Sequence, residues 1–303
     1  MRFMLPLAAL SIGAAPVPMG MFQTWNAYRK APIDFTSGGV SVHVEALPCP
    51  TRPVGDSTCA FEGYNNQALV TVRAPGIAPV SVETDPQSSY ARIAVVHFGR
   101  DDPRPGLIVE SQSGGSGGDL TAQVMVPDRA GYRILPIQRP DGGRVQGEIA
   151  DRPRDVSGDG KIDLILQDAG FDSAFGCNAC TPRPPRIFTV RDGRVVDESR
   201  DPALRPIFVA DMARLRPICL SRRADRNGAC AAYVADAARA GRFRQAWAEM
   251  LKHYEHGRNI WEPCDLPVSA WTDHGCPAGH ITHFRSFPDS LHAFLTRAGY
   301  LPA

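Results

Sequence analysis

Three aspartates and a serine lie within nine consecutive positions, and their oxygens are ligands that a hard divalent cation prefers. The segment reads Asp155-Val-Ser157-Gly-Asp159-Gly-Lys161-Ile-Asp163. Calcium takes roughly six to eight oxygen ligands, which a tight loop supplies best from alternate positions. The side chains of Asp155, Ser157, Asp159 and Asp163 and the backbone carbonyl of Lys161 follow that pattern. The sequence therefore predicts a structural calcium (Ca²⁺) site formed by these five residues.

Two other interpretations of the acidic loop make different predictions. An EF-hand loop would carry a glutamate at its twelfth position, but Leu166 stands there, within a strand-like apolar run. A plain Asp-Gly turn, capped by its own side chains, needs no cation. Three carboxylates crowded into one short loop repel one another unless a cation is present. The crowding favours metal binding, and the flexible, carboxylate-rich loop favours calcium over magnesium.

The segment from Asp155 to Leu166 resembles the FG-GAP/VCBS repeat family, whose blades carry D-x-[DNS]-x-D-G-x-x-D before an apolar strand. This chain matches that motif at every position. The resemblance implies a calcium-binding loop in a propeller-like blade. It does not imply a full propeller, because at most two such units are visible in the sequence and a closed ring needs about four.

A degenerate second copy of this unit precedes the first. Leu107–Ser111 aligns with Leu164–Asp168, and Phe98 and Gly106 then occupy the positions of two of the aspartates. Two related β units would result, of which only the second is equipped for metal. Chance similarity between two turn-strand segments is the alternative explanation.

A candidate nucleophile lies in a glycine-rich segment. Gly114-Gly-Ser116-Gly-Gly118 fits the G-x-S-x-G string of hydrolases, which requires a strand before the serine and a helix after it. The residues that follow, Leu120 to Pro127, form a strand-like pattern instead. We interpret the segment as a loop between strands, and a periplasmic hydrolase using Ser116 is the alternative.

Histidines near the C-terminal end raise the possibility of zinc. His253 and His256 are three positions apart, as are His280 and His283, and His274 lies nearby. On a helix this spacing places both rings on one face, where they can bind zinc. Exposed or capping histidines are commoner, so a zinc-dependent enzyme using these residues is kept only as an alternative.

The eight cysteines fall into close pairs and predict disulfides. The pairs are Cys49/Cys59, Cys177/Cys180, Cys219/Cys230 and Cys264/Cys276. Such a framework is typical of an oxidising compartment. A redox or zinc role for Cys177-Asn-Ala-Cys180 is the alternative, but the prolines that follow it prevent the helix that thioredoxin-type pairs require.

The first residues predict export. Met1-Arg2, an apolar run from Phe3 to Ile12, and Gly13-Ala-Ala15 have the form of a signal peptide over residues 1–15. We therefore expect a periplasmic or secreted protein. No later apolar stretch is long enough to span a membrane, and a net charge of +1 gives no electrostatic footprint for nucleic acid. The partner expected is an unidentified protein or glycan.

The elements that must position these residues change in character near residue 200. Alternating patterns such as Val40–Val44 and short apolar runs bounded by Gly, Pro and Asp predict many strands before that point. Helical spacing appears after it, with a hairpin that turns at Gly241 and a last helix over Pro288–Ala298. We predict an α+β protein in which residues 16–200 form a β-rich domain of blade-like or sandwich-like antiparallel strands. Residues 201–303 form a smaller, disulfide-linked helical region.

The expected function is a non-catalytic binding or structural role.

Overall fold

The structure is a computed structural model, and it does not describe every segment of the chain. The described residues are 16–29, 31–47, 67–85, 88–113, 120–139, 142–143, 145–178, 181–222, 225–267, 270–272 and 275–302. The predicted signal peptide at residues 1–15, Ser116, Cys49, Cys59, Cys180 and His274 lie outside them.

Strands occupy the chain up to Asp197, and helices follow. The strands are β1 Gln23–Asn26, β2 Ile33–Ser37, β3 Val40–Ala46, β4 Ala68–Arg73, β5 Val80–Glu83, β6 Ser88–Val96, β7 Gly106–Ser113, β8 Leu120–Pro127, β9 Tyr132–Pro136, β10 Val145–Gln146, β11 Leu164–Asp168, β12 Pro185–Arg191 and β13 Arg194–Asp197. The helices are α1 Arg205–Cys219, α2 Asn227–Arg239, α3 Phe243–Met250 and α4 Phe287–Arg297. The predicted α+β class is confirmed.

The strands form three antiparallel sheets that follow one another along the chain. The first sheet has the order β2-β3-β4-β5, the second β1-β6-β7-β8-β9 and the third β10-β11-β12-β13. Each sheet contains a meander of four consecutive strands, and β1 adds to the edge of the second sheet beside β6. Meanders need only short hairpin connections, which agrees with the many turn residues in this half of the chain.

The second sheet is buried on both faces. Ile93 and Val109 share a hydrophobic core with residues of the first sheet. Ala94 and Ile108, their neighbours in sequence, share a separate core with Leu164 and other residues of the third sheet. Successive side chains of a strand point to opposite faces, so a strand segment that is covered on both faces is mostly apolar. This explains the apolar runs at residues 93–96 of β6 and 107–109 of β7.

The helices cover the other side of the third sheet. Ile187 of β12 and Phe171, which follows β11, lie in one core with the helical residues. Phe294 of α4 packs edge-on against Phe171, with 4.8 Å between ring centroids. Helix α2 is buried along almost its whole length, which its many alanines permit because they let neighbouring elements approach closely. The order of layers is first sheet, second sheet, third sheet, helices.

The predicted helical hairpin and last helix are confirmed. Helices α2 and α3 meet at Gly241, whose φ of 73° is in the left-handed region that glycine adopts readily. Helix α4 begins at Phe287, one residue before the predicted start. Helix α1 has no counterpart among the predicted elements. Pro206 lies in its first turn, where a helix tolerates proline, whereas Pro217 lies inside the helix and removes one backbone N–H donor.

Two of the predicted disulfides are confirmed. Cys219 bonds to Cys230 and ties the end of α1 to the start of α2, and Cys264 bonds to Cys276. Cys177 is also disulfide-bonded. Within the described ranges, no helix combines the length and the apolar character that a membrane span requires.

Replacing both Cys219 and Cys230 by alanine is expected to destabilise the helical layer. The disulfide closes a loop with a sequence separation of 11, and loop-closure entropy assigns such a cross-link about 3 kcal/mol. Urea unfolding of the oxidised proteins measures the loss. The control is the Cys264/Cys276 double alanine variant. It removes a disulfide that closes a loop of almost the same length, at separation 12, outside the buried core. A larger loss for the Cys219/Cys230 variant identifies a packing contribution, and an unchanged unfolding midpoint would contradict the prediction.

Candidate calcium site

The acidic loop connects β10 to β11, the first two strands of the third sheet. Its ends are held together by a hydrogen bond from the Asp163 N–H to the Arg154 carbonyl, at 3.0 Å. Gly158 and Gly160 have φ values of 84° and 89°, a conformation that other residues rarely adopt. The glycines therefore let the chain turn tightly enough to bring the aspartates to one loop.

The loop packs against the turn between β6 and β7. The Arg100 N–H donates to the Gly160 carbonyl at 3.2 Å, and the Ile162 N–H donates to the Phe98 carbonyl at 2.9 Å. This turn belongs to the degenerate copy seen in the sequence, and both segments join the first and second strands of a four-strand meander. In the degenerate copy, Asp102 accepts a hydrogen bond from the Gly99 N–H at 2.8 Å, so this carboxylate closes its own turn.

Asp163 is the most buried of the predicted ligands, with 4% of its surface exposed. Its Oδ2 accepts hydrogen bonds from the N–H groups of Val156 at 2.6 Å and Ser157 at 2.8 Å. Its Oδ1 is buried and has no hydrogen-bond partner among the described residues. A buried acceptor without a partner costs about 1–3 kcal/mol, and more when it is charged. A cation bound at this oxygen would remove that cost.

Asp155 is held by the backbone of the loop. Its Oδ1 accepts from the Gly158 N–H at 2.5 Å, and its Oδ2 accepts from the Gly160 N–H at 2.8 Å. The Ser157 hydroxyl lies 3.4 Å from Oδ1. The hydrogen bond from Gly160 is the largest cause that lowers the pKa of Asp155 below its ordinary value, against the opposing effect of desolvation. Asp155 is therefore ionised at neutral pH, as a calcium ligand must be.

Asp159 has a cationic partner. Its Oδ2 lies 2.6 Å from Nη2 of Arg191, and its Oδ1 accepts from the Lys161 N–H at 2.9 Å. Arg191, on β12, also pairs with the buried carboxylate of Glu198. Burial is the main cause that raises the pKa of Glu198, and Arg191 opposes it. Arg191 therefore compensates two carboxylates, and a cation bound in the loop would compete with it for Asp159.

The five predicted ligands thus lie on one loop, and part of the plain-turn interpretation also holds. The carboxylates cap backbone N–H groups of the loop, as in an Asp-Gly turn. Across the part of the chain that the structure describes, no three His, Cys, Asp or Glu side chains converge into a ready-made metal site. The donor set and the unpartnered Oδ1 of Asp163 fit a calcium ion, which would require the Asp159 carboxylate to leave Arg191.

The histidine pairs do not share helical faces. His280 contacts Asp265 at 2.7 Å and His283 contacts Glu262 at 2.8 Å, each through Nδ1. Both histidines precede α4 in an irregular segment, so the helical spacing on which the zinc alternative depends is not present at these two residues. His253 likewise lies beyond the end of α3. Each of the two paired rings has its own carboxylate.

Arg191 is the residue near the loop that sequence reasoning missed. It lies at the end of β12, next to β11 in the third sheet, while the aspartate it pairs with is 32 positions earlier in the chain. The sequence shows only that Arg191 ends an apolar strand. Such arginines are common, so this feature does not indicate a contact with the loop. Only the pairing of β11 with β12 places it beside the acidic loop.

Replacing Asp155 by asparagine is expected to destabilise the protein at pH 7. The amide NH₂ would replace one oxygen that now accepts from Gly158 or Gly160. Since the pKa of Asp155 in the folded protein lies below its ordinary value, the contribution of the carboxylate to stability is fully present above that ordinary value and is lost as the pH falls through the folded-state pKa. Urea unfolding in calcium-free buffer should show a difference between wild type and variant that is constant near pH 7 and disappears in acid. If the stability difference between wild type and variant stayed the same as the pH fell to the folded-state pKa, the stabilising role of the ionised Asp155 carboxylate would be contradicted.

The chain is similar to two proteins and to one family model. Residues 208–299, from within α1 to just past α4, match the model of the sll0997 C-terminal domain. The chain is 27% identical over 249 residues to the "Probable thylakoid lumen protein sll0997" of Synechocystis sp., covering 80% of this chain and 70% of that protein. It is 24% identical over 299 residues to the "Uncharacterized protein y4bJ" of Sinorhizobium fredii, covering 94% of this chain but only 42% of that protein. No solved structure matches the chain. The family match coincides with the helical layer, and the acidic loop lies outside it.

Proposed function

We propose that this chain is an exported, non-catalytic binding or structural protein whose acidic loop holds a structural calcium ion. The observation that carries the proposal is the Oδ1 atom of Asp163, a buried carboxylate oxygen in a loop of oxygen donors, for which the described residues provide no hydrogen-bond partner. Asp155, Ser157, Asp159, the Lys161 carbonyl and Asp163 would hold the ion. The ion would supply positive charge to three carboxylates and an additional ligand bond for the buried oxygen.

The position of the loop supports a stabilising role. The loop belongs to the third sheet, and the turn that it contacts through Phe98 and Arg100 belongs to the second sheet. A calcium ion that fixes the loop would therefore strengthen a connection between two layers of the fold. The ion would act as a clamp between β layers rather than as a centre for chemistry on a substrate.

Two findings support an oxidising location such as the periplasm or the extracellular space. The disulfides Cys219–Cys230 and Cys264–Cys276 are typical of such compartments and rare in the cytosol. One relative is named as a probable thylakoid lumen protein, and the lumen is topologically similar to the periplasm. The partner of the protein would be another protein or a glycan.

The enzymatic alternatives have less support. Ser116 lies outside the described residues, and His280 and His283 are each engaged by a separate carboxylate. Hydrolysis of generic ester substrates by the purified chain, abolished in Ser116→Ala, would replace the non-catalytic proposal with a hydrolase.

Calcium is expected to raise the melting temperature of the purified protein. Extracellular calcium modules bind with Kd near 10⁻⁴–10⁻³ M, so about 10 mM calcium would add roughly 1.4–2.7 kcal/mol of stability. For a chain of this size that corresponds to an increase in Tm of roughly 2–4 °C. Differential scanning calorimetry before and after removal of divalent cations measures the effect.

Variants identify the loop as the origin of the effect. Asp159→Ala and Asp163→Asn should lose the calcium response, because each removes a carboxylate ligand. Asp34→Asn, which neutralises an exposed aspartate in β2 of the first sheet, should keep the full response. A wild-type Tm that does not change with calcium, or a response that persists in both loop variants, would refute the calcium site.

A further inference from the structure

A second candidate site lies where the third sheet meets the ends of two helices. A cavity of about 440 Å³ opens there, and four of its lining residues are arginines. The lining residues are Arg186, Asp197, Arg200, Arg239, Arg297, Ala298 and Gly299. Four guanidinium groups thus surround a space that contains one carboxylate.

Arg239 is a buried cation that makes no hydrogen bond through its Nε to any described residue, although the charge of Asp197 acts on it. It has 7% of its surface exposed, and its Nε is buried with no hydrogen-bond partner among the described residues. Its guanidinium lies 4.6 Å from the centre of the Tyr300 ring, a cation–π contact that provides no acceptor for Nε. Burial is the main cause that lowers the pKa of Arg239 below its ordinary value. Burying such a charge is costly unless a partner compensates it.

The acidic groups nearby are committed to other residues. Asp197 accepts from Arg186 through Nε at 2.9 Å and pairs with its Nη2 at 2.8 Å. Asp236 precedes Arg239 by one helical turn on α2 but is fully buried and makes no contact with it. Burial, reinforced by the charge of Asp211, raises the pKa of Asp236 well above its ordinary value. Burial therefore favours the neutral form of Asp236, which has no hydrogen bond to Arg239.

Two exposed arginines complete the cavity at its surface. Nη2 of Arg200 donates to the Gly299 carbonyl at 2.8 Å, and the Arg297 guanidinium lies 5.9 Å from the centre of the Trp261 ring. Neither arginine has a carboxylate partner among the ion pairs of the described residues. Arg239 and Arg297 are the last residues of α2 and α4, where the helix dipoles favour cations. The dipoles account for the positions of the arginines, but not for the buried Nε of Arg239, which has no hydrogen-bond partner among the described residues.

We propose that this cavity is a binding site for an oxyanion, a carboxylate or a phosphate group of a small ligand or of a partner. The Arg239 guanidinium would donate from the cavity wall, and Arg200 and Arg297 would contact the ligand from the mouth. Guanidinium groups present parallel N–H donors that match the two oxygens of a carboxylate or phosphate. Asp197 is already paired with Arg186, which also pairs with Asp168. The site is separate from the acidic loop and does not depend on calcium.

The experiment compares thermal stability and binding heat in three salts at equal ionic strength. Purified full-length chain is titrated with inorganic phosphate, sodium glucuronate or sodium chloride, in buffer passed over chelating resin. The resin removes calcium, which would precipitate with phosphate, without adding a carboxylate-bearing chelator. We expect Tm to rise with phosphate or glucuronate above its value in chloride. The salt with the larger effect identifies phosphate or carboxylate as the preferred group.

Two variants test the assignment to Arg239. Arg239→Met keeps an unbranched side chain of similar length but removes the charge. Its affinity for the preferred anion should fall by about tenfold or more, the effect of losing a charged hydrogen bond, while its Tm in chloride should equal or exceed that of wild type. Arg297→Gln, at an exposed position, should also weaken binding and leaves the test valid if Arg239→Met fails to fold. Arg244→Met, which removes an exposed arginine of α3, serves as the matched control.

Equal Tm values in the three salts would overturn the proposal. So would anion binding that persists at wild-type affinity in Arg239→Met and Arg297→Gln, since the anion would then bind elsewhere. A loss of binding in the Arg244→Met control equal to that of the two test variants would show a general effect of net charge and would equally overturn it.

Discussion

A fully buried carboxylate, Asp168, connects the third sheet to the helical layer, and the fold around it depends on the satisfaction of that charge. Its Oδ2 accepts from Nη1 of Arg186 at 2.8 Å and from the Tyr300 hydroxyl at 3.0 Å, and its Oδ1 accepts from Nη1 of Arg139 at 3.0 Å. Burial alone would lower the pKa of Arg186, but Asp168 and Asp197 raise it above its ordinary value. Removing one partner of such a buried pair typically costs about 3–5 kcal/mol, because the remaining charge stays desolvated. The strands and the C-terminal segment are therefore constrained to one arrangement at this point.

The layered architecture gives this ion pair its low-polarity surroundings. The second sheet is covered by the first sheet on one face and by the third on the other, and the third is covered in turn by the helices. Inner layers that are covered on both faces must bury whatever polar groups their strands carry. Arg186 and Thr189 of β12 are both almost fully buried, and both are hydrogen-bonded. Among the described residues, fifteen buried side-chain atoms lack a hydrogen-bond partner, and Nε of Arg239 and Oδ1 of Asp163 are two of them.

Local patterns in the sequence predict the strands and most helices, whereas partners that are distant along the chain are not predictable from it. The alternation at Val40–Val44 and the run at Leu107–Val109 identify strands because turn residues bound them. The helical spacing of α1 was obscured by Pro206 and Pro217, although each lies near a helix end. Asp168 and Arg186 are 18 positions apart, and nothing near either residue indicates the other. The register of β11 with β12, which pairs Leu166 with Arg186, creates that proximity. The grouping of the acidic residues on one loop is predictable because these residues are neighbours in the sequence. The contact with Arg191 is not predictable, because Arg191, like Arg186, is distant along the chain from its partner.

The short strand β11 has an acidic residue at each of its two ends. The two residues differ in their hydrogen-bond partners, and this difference bears on the calcium proposal. Asp168 is its last residue, and Asp163 directly precedes its first, Leu164. Both carboxylates are buried, and both accept backbone N–H groups. Asp168 also has two arginines and a tyrosine, so both of its oxygens are satisfied. Asp163 has no arginine within its described contacts, and one of its oxygens has no donor. The carboxylate at one end of β11 is paired by arginines of the protein itself, and the carboxylate at the other end has an oxygen without a donor among the described residues, which under the calcium proposal would bind the cation.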